Sequence, residues 1–158
     1  MRPAFVKTAL WTVAGLALAA QFVRPERSNP PVTREVRWDS EATRYLAQGA
    51  CYDCHSNETD WPWYSLVTPV SWLVVRDVVE GREHLNFSAW DRPNHGLDEI
   101  IGMIENGEMP PREYALMHPK ARLDAATRAI LLRGLKATLA ADRPVPAEGE
   151  SDEEHPNQ

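Results

Sequence analysis

The chain has 158 residues, a length that allows one folded unit of modest core with appended segments. Two cysteines are too few for a disulfide framework. A hydrophobic share of 43% and a charged share of 25% exclude a wholly disordered, collagen-like or multi-span membrane chain. The formal net charge of -6 comes largely from the last eleven residues, which hold five acidic side chains, so no basic surface indicates nucleic-acid binding. Thirteen prolines predict long irregular connections, and six tryptophans need something large to pack against.

The first predicted element is an apolar helix close to the N-terminus. Residues 8–23 carry no charge and follow Arg2 and Lys7, a pattern typical of an export signal or a membrane anchor. As a helix this stretch rises about 24 Å, short of the roughly 30 Å bilayer core, although a snorkelling Lys7 would close the gap. Ala17-Leu18-Ala19 instead has the form of a cleavage site. Anchor and cleaved signal therefore both stay open at this point.

Four segments are predicted from the changes in composition along the chain. Residues 1–24 form the signal or membrane anchor, and residues 25–33, which include two consecutive prolines, form an extended linker. The folded domain takes residues 34–141. Residues 142–158 are rich in proline and acidic side chains with little apolar content, so we expect a disordered, solvated tail.

The folded domain is predicted to be mainly α-helical, because no stretch alternates polar and apolar residues while several show helical spacing after a capping residue. The first expected helix starts at Asp39 or Ser40 with Ala42, Tyr45, Leu46 and Ala50 facing inward, and the second starts at Thr68-Pro69 with Trp72, Val75 and Val79 facing inward and ends near Gly81 or His84. The third covers residues 97–106, with Leu97, Ile100, Ile101 and Ile104 facing inward, and ends at Gly107. The fourth starts at Asp124 with Ile130, Leu131, Leu135 and Leu139 facing inward. The valine-rich second segment would also suit a strand, but the positions of its charged residues favour a helix. Gly134 lies beside the last stripe and would let another helix cross closely.

Cys51-Tyr52-Asp53-Cys54-His55 has the spacing of a c-type haem attachment site. Two thiols one helical turn apart can reach the two vinyl groups of one porphyrin edge as thioethers, and the histidine that follows can bind the iron. We therefore expect one covalent haem c through Cys51 and Cys54, with His55 as the proximal ligand. Zinc or a plain disulfide is the alternative, although no second cysteine pair supplies the remaining zinc ligands. The motif leaves Asp53 free, so Asp53→Asn should be tolerated.

A sixth iron ligand is expected from the loop Gly107-Glu108-Met109-Pro110-Pro111, in which consecutive prolines stiffen the backbone that presents Met109. A thioether opposite histidine raises the reduction potential and closes the iron for electron transfer. An open site or a different ligand is the alternative. The rival ligands are His84, His95, His118, Met103 and Met117.

Aromatic residues follow the cysteines closely. Trp61, Trp63 and Tyr64 are interpreted as lining for the porphyrin face, the alternative being an ordinary aromatic core. Three arginines could pair with haem propionates, although exposed salt bridges are the simpler role for each. They are Arg76, Arg82 and Arg112.

The chain resembles the small bacterial haem-binding domain family over approximately residues 34–139. The residues that carry the resemblance are Cys51 to Thr59, Trp61-Pro62-Trp63-Tyr64, Pro69-Val70-Ser71-Trp72, Asp77-Val78, Glu80-Gly81-Arg82, Leu85-Asn86-Phe87-Ser88, Gly107 to Pro111, and Tyr114. The resemblance implies thioether attachment at Cys51 and Cys54, ligation by His55 and Met109, and an exported chain with an uncleaved anchor. It implies no particular reaction.

We therefore expect a mainly α, cytochrome c-like domain around one covalent haem, preceded by a membrane helix. The expected function is one-electron transfer at the outer face of a bacterial cytoplasmic membrane, between redox partner proteins in the periplasm or membrane. A soluble periplasmic protein follows if the signal is cleaved. A haem enzyme or gas sensor with an open sixth position is the main alternative, and a zinc-stabilised interaction module is the third; an electron carrier is favoured over a catalyst.

Overall fold

The computed structural model describes residues 3–94 and 97–146, and the described chain is mainly helical, as predicted. Its α-helices are α1 (Pro3–Ala20), α2 (Glu41–Ala50), α3 (Tyr52–His55), α4 (Val70–His84), α5 (Leu97–Glu105), α6 (Arg112–Met117) and α7 (Ala125–Ala141). Two short 3-10 helices cover Trp63–Leu66 and Pro119–Ala121. Strands β1 (Pro93–Asn94) and β2 (Val145–Pro146) pair in parallel, with Pro93 opposite Val145.

Helix α1 stands apart from the core and leaves its large apolar side chains exposed, among them Phe5, Leu10 and Trp11. The helix ends at Ala20, where the backbone amides of the next three residues still bond to carbonyls of its last turn. Within residues 3–94 and 97–146, none of the helices combines the length and the apolar character that a membrane crossing requires.

The predicted linker, residues 25–33, lies against the helical domain, and so does the end of the predicted anchor segment before it. The Gln21 side chain donates to the Thr68 carbonyl at 2.9 Å and accepts from the Thr68 amide at 3.1 Å. Farther along, the Arg27 guanidinium donates to the Ser65 hydroxyl, and the Asn29 side chain donates through Nδ2 to the Thr59 carbonyl. The segment 21–31 is therefore a bound strap.

Helices α2 and α4 form where the sequence predicts them. Ser40 caps α2 by accepting from the Thr43 amide, but the buried face is Thr43, Ala47 and Ala50, so the prediction that Tyr45 faces inward is wrong. The valine-rich segment is helical rather than extended, because its buried positions recur at helical spacing while its charged residues Arg76, Asp77 and Glu80 are exposed. It buries Ser71, Val75 and Val78, whereas Trp72 and Val79, which were expected to face inward, are exposed.

Helices α5 and α7 supply much of the apolar core. Ile101 and Ile104 of α5 are buried, while the side chain of Leu97 lies outside the described part. Gly107 ends this region with a φ of 74°, a left-handed conformation that glycine adopts without strain. Asp124 caps α7 by accepting from the Thr127 amide, as predicted. The buried stripe of α7 is Leu131, Gly134, Leu135, Thr138 and Leu139, so the expectation that Ile130 faces inward is wrong.

An aromatic stack completes the core between these helices. Phe87 stacks on Tyr52 with ring centres 5.7 Å apart and on Trp90 at 5.9 Å, and Trp38 lies tilted against Phe87 at 5.0 Å. The side chain of Trp90 is completely buried. Its indole N–H donates to the Asp142 carbonyl at 3.0 Å, which satisfies the polar atom that burial would otherwise leave unpaired.

The chain beyond α7 stays in contact with the domain as far as it is described. Asp142, which the sequence places in the tail, is buried and accepts from the Arg37 amide at 2.8 Å and from the Arg34 guanidinium. Burial opposes its charge, yet these donors hold the pKa of the Asp142 carboxyl below its ordinary value. Residues 147–158, the rest of the predicted tail, lie outside the described residues.

The crossing of α2 and α7 depends on Gly134. A Cβ at this position would lie 1.9 Å from the Thr43 hydroxyl oxygen and 2.8 Å from the Thr43 Cβ. We predict that Gly134→Ala lowers the free energy of unfolding by about 3 kcal/mol, because the two helices must separate. Gly102→Ala on α5 is the control, since nothing lies within 4 Å of its added Cβ. Chemical denaturation measures both, and equal stabilities of the two variants would contradict the close crossing.

Candidate functional site

The two cysteines lie where α2 passes into α3. The Cys51 amide donates to the Ala47 carbonyl and ends α2, and the Cys51 carbonyl accepts from the amides of Cys54 and His55. This single turn of backbone puts both half-buried thiols and the imidazole on one short helix. The thiols are free rather than joined in a disulfide.

Burial keeps both thiols protonated at neutral pH. Desolvation raises the pKa of Cys51 to about 12, with a further contribution from Cys54. It also raises the pKa of Cys54 to about 11, together with the negative charges of Asp53 and Asp77.

The His55 imidazole is held in one orientation by the end of α4. Its Nδ1 lies 2.9 Å from the Gly81 carbonyl oxygen and 3.2 Å from the Leu85 carbonyl oxygen. Because a carbonyl only accepts, Nδ1 carries the proton and Nε2 keeps its lone pair for a metal ion. Desolvation lowers the pKa of His55, which maintains the neutral ring that ligation requires.

Gly81 lets α4 approach α3 closely enough for these bonds. A Cβ at this position would lie 2.6 Å from the Cys54 carbonyl oxygen and 3.1 Å from the Cys54 Cβ. The sequence analysis quoted Gly81 within a motif but gave it no role. Only contacts between positions far apart in the sequence reveal that role.

Met109 lies on the same apolar cluster as Cys51. Both side chains are partly buried and pack against the core that includes Tyr52 and Ile104. The loop is fixed by its backbone, since the amides of Glu108 and Met109 both donate to the Met103 carbonyl. The predicted distal ligand and the first cysteine thus pack against the same apolar core, although they are far apart in the sequence.

A hydrogen bond joins the cysteine motif to the helix that follows the methionine loop. The Tyr114 hydroxyl of α6 donates to Asp53 Oδ2 at 2.6 Å, and the Asp60 amide donates to Asp53 Oδ1 at 2.9 Å. Burial and the Asp53 carboxylate raise the pKa of Tyr114, so its hydroxyl keeps the donated proton. Asp53 is therefore not a free position of the motif, contrary to the sequence interpretation.

His118 belongs to a cluster with two tyrosines. Its ring stacks on Tyr114 with centres 4.0 Å apart, and its Nδ1 donates to the Tyr114 carbonyl. Its Nε2 lies 3.3 Å from the Tyr64 hydroxyl, which donates to it in the neutral tautomer. Both ring nitrogens of this rival ligand are thus hydrogen-bonded.

The other predicted site residues differ in how far they are buried. Trp61 is half-buried, and its indole N–H donates to the Asn29 side chain at 3.3 Å. Trp63 packs edge-on against Tyr64 but is 72% exposed, so its role in covering a porphyrin stays a prediction. Among the rival ligands, His84 and Met117 are exposed, Met103 is half-buried, and His95 lies outside the described residues.

Arg82 connects the cysteine motif to the bound strap. Its guanidinium donates to the Ser56 carbonyl at 2.7 Å, the Thr59 hydroxyl at 2.8 Å and the Ser28 carbonyl at 2.9 Å. It also donates to the Asn29 side chain at 3.0 Å. Of the three arginines considered for propionates, Arg82 is therefore engaged in holding the backbone.

Buried polar side chains behind the motif fix the chain that follows it. The Asn57 amide N–H donates to the Ser88 hydroxyl at 3.0 Å, and the Asn86 side chain donates to the Asn57 side chain at 2.9 Å. The Phe87 amide donates to the His55 carbonyl at 2.8 Å. This network gives a physical role to motif residues that the sequence analysis only quoted.

The described residues offer the zinc alternative no ligand set. Across residues 3–94 and 97–146, no group of three or more His, Cys, Asp or Glu is arranged to hold a metal ion. A structural zinc ion takes four protein ligands, usually cysteines and histidines.

Substitution of Gly81 tests the close contact of α3 and α4. We predict that Gly81→Ala lowers the free energy of unfolding by about 2 kcal/mol, because the added methyl collides with backbone that cannot turn away. Gly102→Ala provides the unhindered comparison in the same denaturant titration. A Gly81→Ala protein as stable as Gly102→Ala would show that the helices do not need this contact.

The Asp53 and Tyr114 bond gives a second prediction. Tyr114→Phe should cost about 2 kcal/mol of unfolding free energy, because the variant leaves a carboxylate without its charge-assisted donor. Asp53→Asn should also destabilise the chain, and the double variant should cost less than the sum of the two. Tyr45→Phe is the control, since Tyr45 is exposed on α2. Strictly additive effects of the two substitutions would argue against the bond.

Comparison with known proteins gives one family. The model of the haem-binding domain family matches residues 15–137, which is well over half of the chain. A search among curated proteins and another among solved structures find no match. The matched segment includes both cysteines, His55, Met109 and the polar network behind the motif. The chain belongs to the haem-binding domain family, and haem is the cofactor that this membership supports.

Proposed function

We propose that the chain is a c-type cytochrome that carries single electrons. The observation that carries the proposal is the orientation of His55, whose Nδ1 is bound by two carbonyls so that Nε2 remains available to iron. Two free, protonated thiols on the same helical turn fit covalent attachment, in which each S–H adds across a vinyl double bond to give one C–S and one C–H bond. The donor set therefore fits a haem.

Met109 is the proposed distal ligand. Its thioether lies at the edge of the apolar core that also contacts Cys51, and the loop backbone is pinned to Met103. His118 is the less favoured ligand, because both of its ring nitrogens are already hydrogen-bonded. His55 and Met109 together would hold a haem iron with no open coordination position, and the Met109 thioether would raise its reduction potential, which suits one-electron transfer.

The proposed location is the outer face of a bacterial cytoplasmic membrane, with redox proteins of the periplasm or membrane as partners. Support comes from the uncharged residues 8–23 and from the cysteine motif, because c-type haem is attached outside the cytoplasm.

A second candidate function is a haem enzyme or gas sensor with an open sixth position. The cluster of Tyr64, Tyr114 and His118 supports this candidate function, since a tyrosine hydroxyl and the imidazole would supply a general acid and a general base. Asp53 links this cluster to the cysteine motif through Tyr114.

Attachment is tested on the purified chain by extraction with acidified acetone. A haem that stays with the protein supports thioether bonds, and Cys51→Ser or Cys54→Ser should leave it loosely held or absent. His55→Ala should abolish normal maturation. Complete extraction of haem from the unmodified chain would refute the c-type assignment.

The distal ligand separates the two candidate functions. Met109→Ala should abolish the methionine-to-iron charge-transfer band of the ferric spectrum and lower the reduction potential. Met117→Ala is the control, since this methionine is exposed, and it should change neither. A high-spin ferric spectrum in the unmodified chain, with ready carbon monoxide binding after reduction, would favour the enzyme or sensor.

A further inference from the structure

Exposed apolar side chains lie on both sides of the junction between α1 and the helical domain. Residues 61–75 contain no charged side chain, and neither do residues 8–23. We call the exposed apolar side chains where these stretches meet the junction patch: Phe22, Val23, Leu66, Val67, Val70 and Leu73. Leaving apolar side chains exposed to water is unfavourable, so a surface of this kind indicates an interaction site.

Hydrogen bonds hold the two halves of the junction patch together. The Gln21 side chain bonds to both the amide and the carbonyl of Thr68, at 3.1 and 2.9 Å. The Trp72 indole N–H donates to the Val23 carbonyl at 2.8 Å. The end of α1 is thus tied to the start of α4, and whatever covers α1 also reaches the domain surface beside it.

The exposed side chains of α1 point to lipid as that covering. Leu10, Trp11, Val13, Leu16 and Leu18 are each at least 63% exposed. At about 100° per residue they spread over roughly 220° of the helix circumference, which is wider than one face. A protein groove covers one face of a helix, with anchors three and four residues apart, whereas acyl chains cover every side.

Charged and aromatic residues at the rim of the junction patch fit a membrane interface. Arg24 follows Val23 directly, where it would meet anionic headgroups. The Trp72 indole has an apolar ring and a hydrogen-bonded N–H. Amphipathic indoles of this kind are enriched at the level of the lipid headgroups. Contact at this depth does not require the helix to cross the bilayer.

We propose that the junction patch lies in the interfacial layer of a phospholipid bilayer and fixes the orientation of the domain on the membrane. The inference rests on the membrane location given under the proposed function. Because the strap 21–31 also bonds to Thr59 and, through Arg82, to Ser56, the cysteine helix would hold a set direction relative to the lipid surface. Redox partners would then be restricted to one side of the domain.

The test is hydroxyl-radical footprinting of the full chain in vesicles of phosphatidylcholine and phosphatidylglycerol. Flotation of the vesicles first establishes that the chain associates with them. Val70 and Leu73 should then be modified at least fivefold less than Ile130 of α7, although Leu73 is 52% and Ile130 45% exposed in the protein alone. Val70→Asp with Leu73→Asp should remove the protection of Leu66 and Val67, whereas the matched control Ile130→Asp should preserve it.

Three outcomes would overturn the proposal. Equal modification of Leu73 and Ile130 in floated vesicles would show that lipid does not cover the patch. Protection that fades as the protein-to-lipid ratio is lowered would assign the patch to a second copy of the chain. A chain that does not float with the vesicles would refute both the membrane location and the burial of the patch in lipid. Haem content, measured by the haemochrome spectrum of the same samples, reports separately on the proposed cytochrome, so loss of haem with a protected patch would refute only that function.

Discussion

The packing of α3 on the end of α4 is the contact on which the rest of the site depends. Its close approach requires a residue without a Cβ, and Gly81 supplies it against the Cys54 carbonyl. The same approach brings the Gly81 and Leu85 carbonyls to His55 and sets the tautomer of its ring. A four-residue helix has too few internal bonds to hold three functional side chains by itself. Its geometry is therefore imposed by the longer helix beside it.

Polar contacts extend this arrangement outward from the cysteine motif. Arg82 joins the backbone after the motif to the bound strap, and the buried network of Asn57, Asn86 and Ser88 supports the same backbone from the other side. Buried polar groups that all have partners specify one arrangement, since each alternative would leave a donor or acceptor unsatisfied. The segments before and after the motif are thus fixed with it.

The proposed ligands come from segments far apart in the sequence, the cysteine motif at residues 51–55 and the loop at residues 107–111. Met109 and Cys51 both pack against the apolar core, and the Tyr114 hydroxyl ties the helix after the loop to Asp53. One interaction is apolar and the other is charge-assisted, so they respond differently to substitution and to salt. Together these interactions make the position of the methionine loop relative to the cysteine motif depend on the whole fold rather than on either segment alone.

The sequence by itself determined the local features: the capped helices beginning after Ser40 and Asp124, the glycine beside the buried stripe of α7 that lets another helix cross, and a motif whose thiols and imidazole share one helical turn. These follow from short-range periodicity and capping, and so they can be predicted from the residues alone. The tertiary structure decided which tryptophans are buried, choosing Trp90 rather than Trp63 or Trp72. It also gave Asp53 a partner 61 positions away and bound the expected linker to the domain through Arg27 and Asn29. Such contacts depend on how distant segments meet, which composition and spacing do not encode.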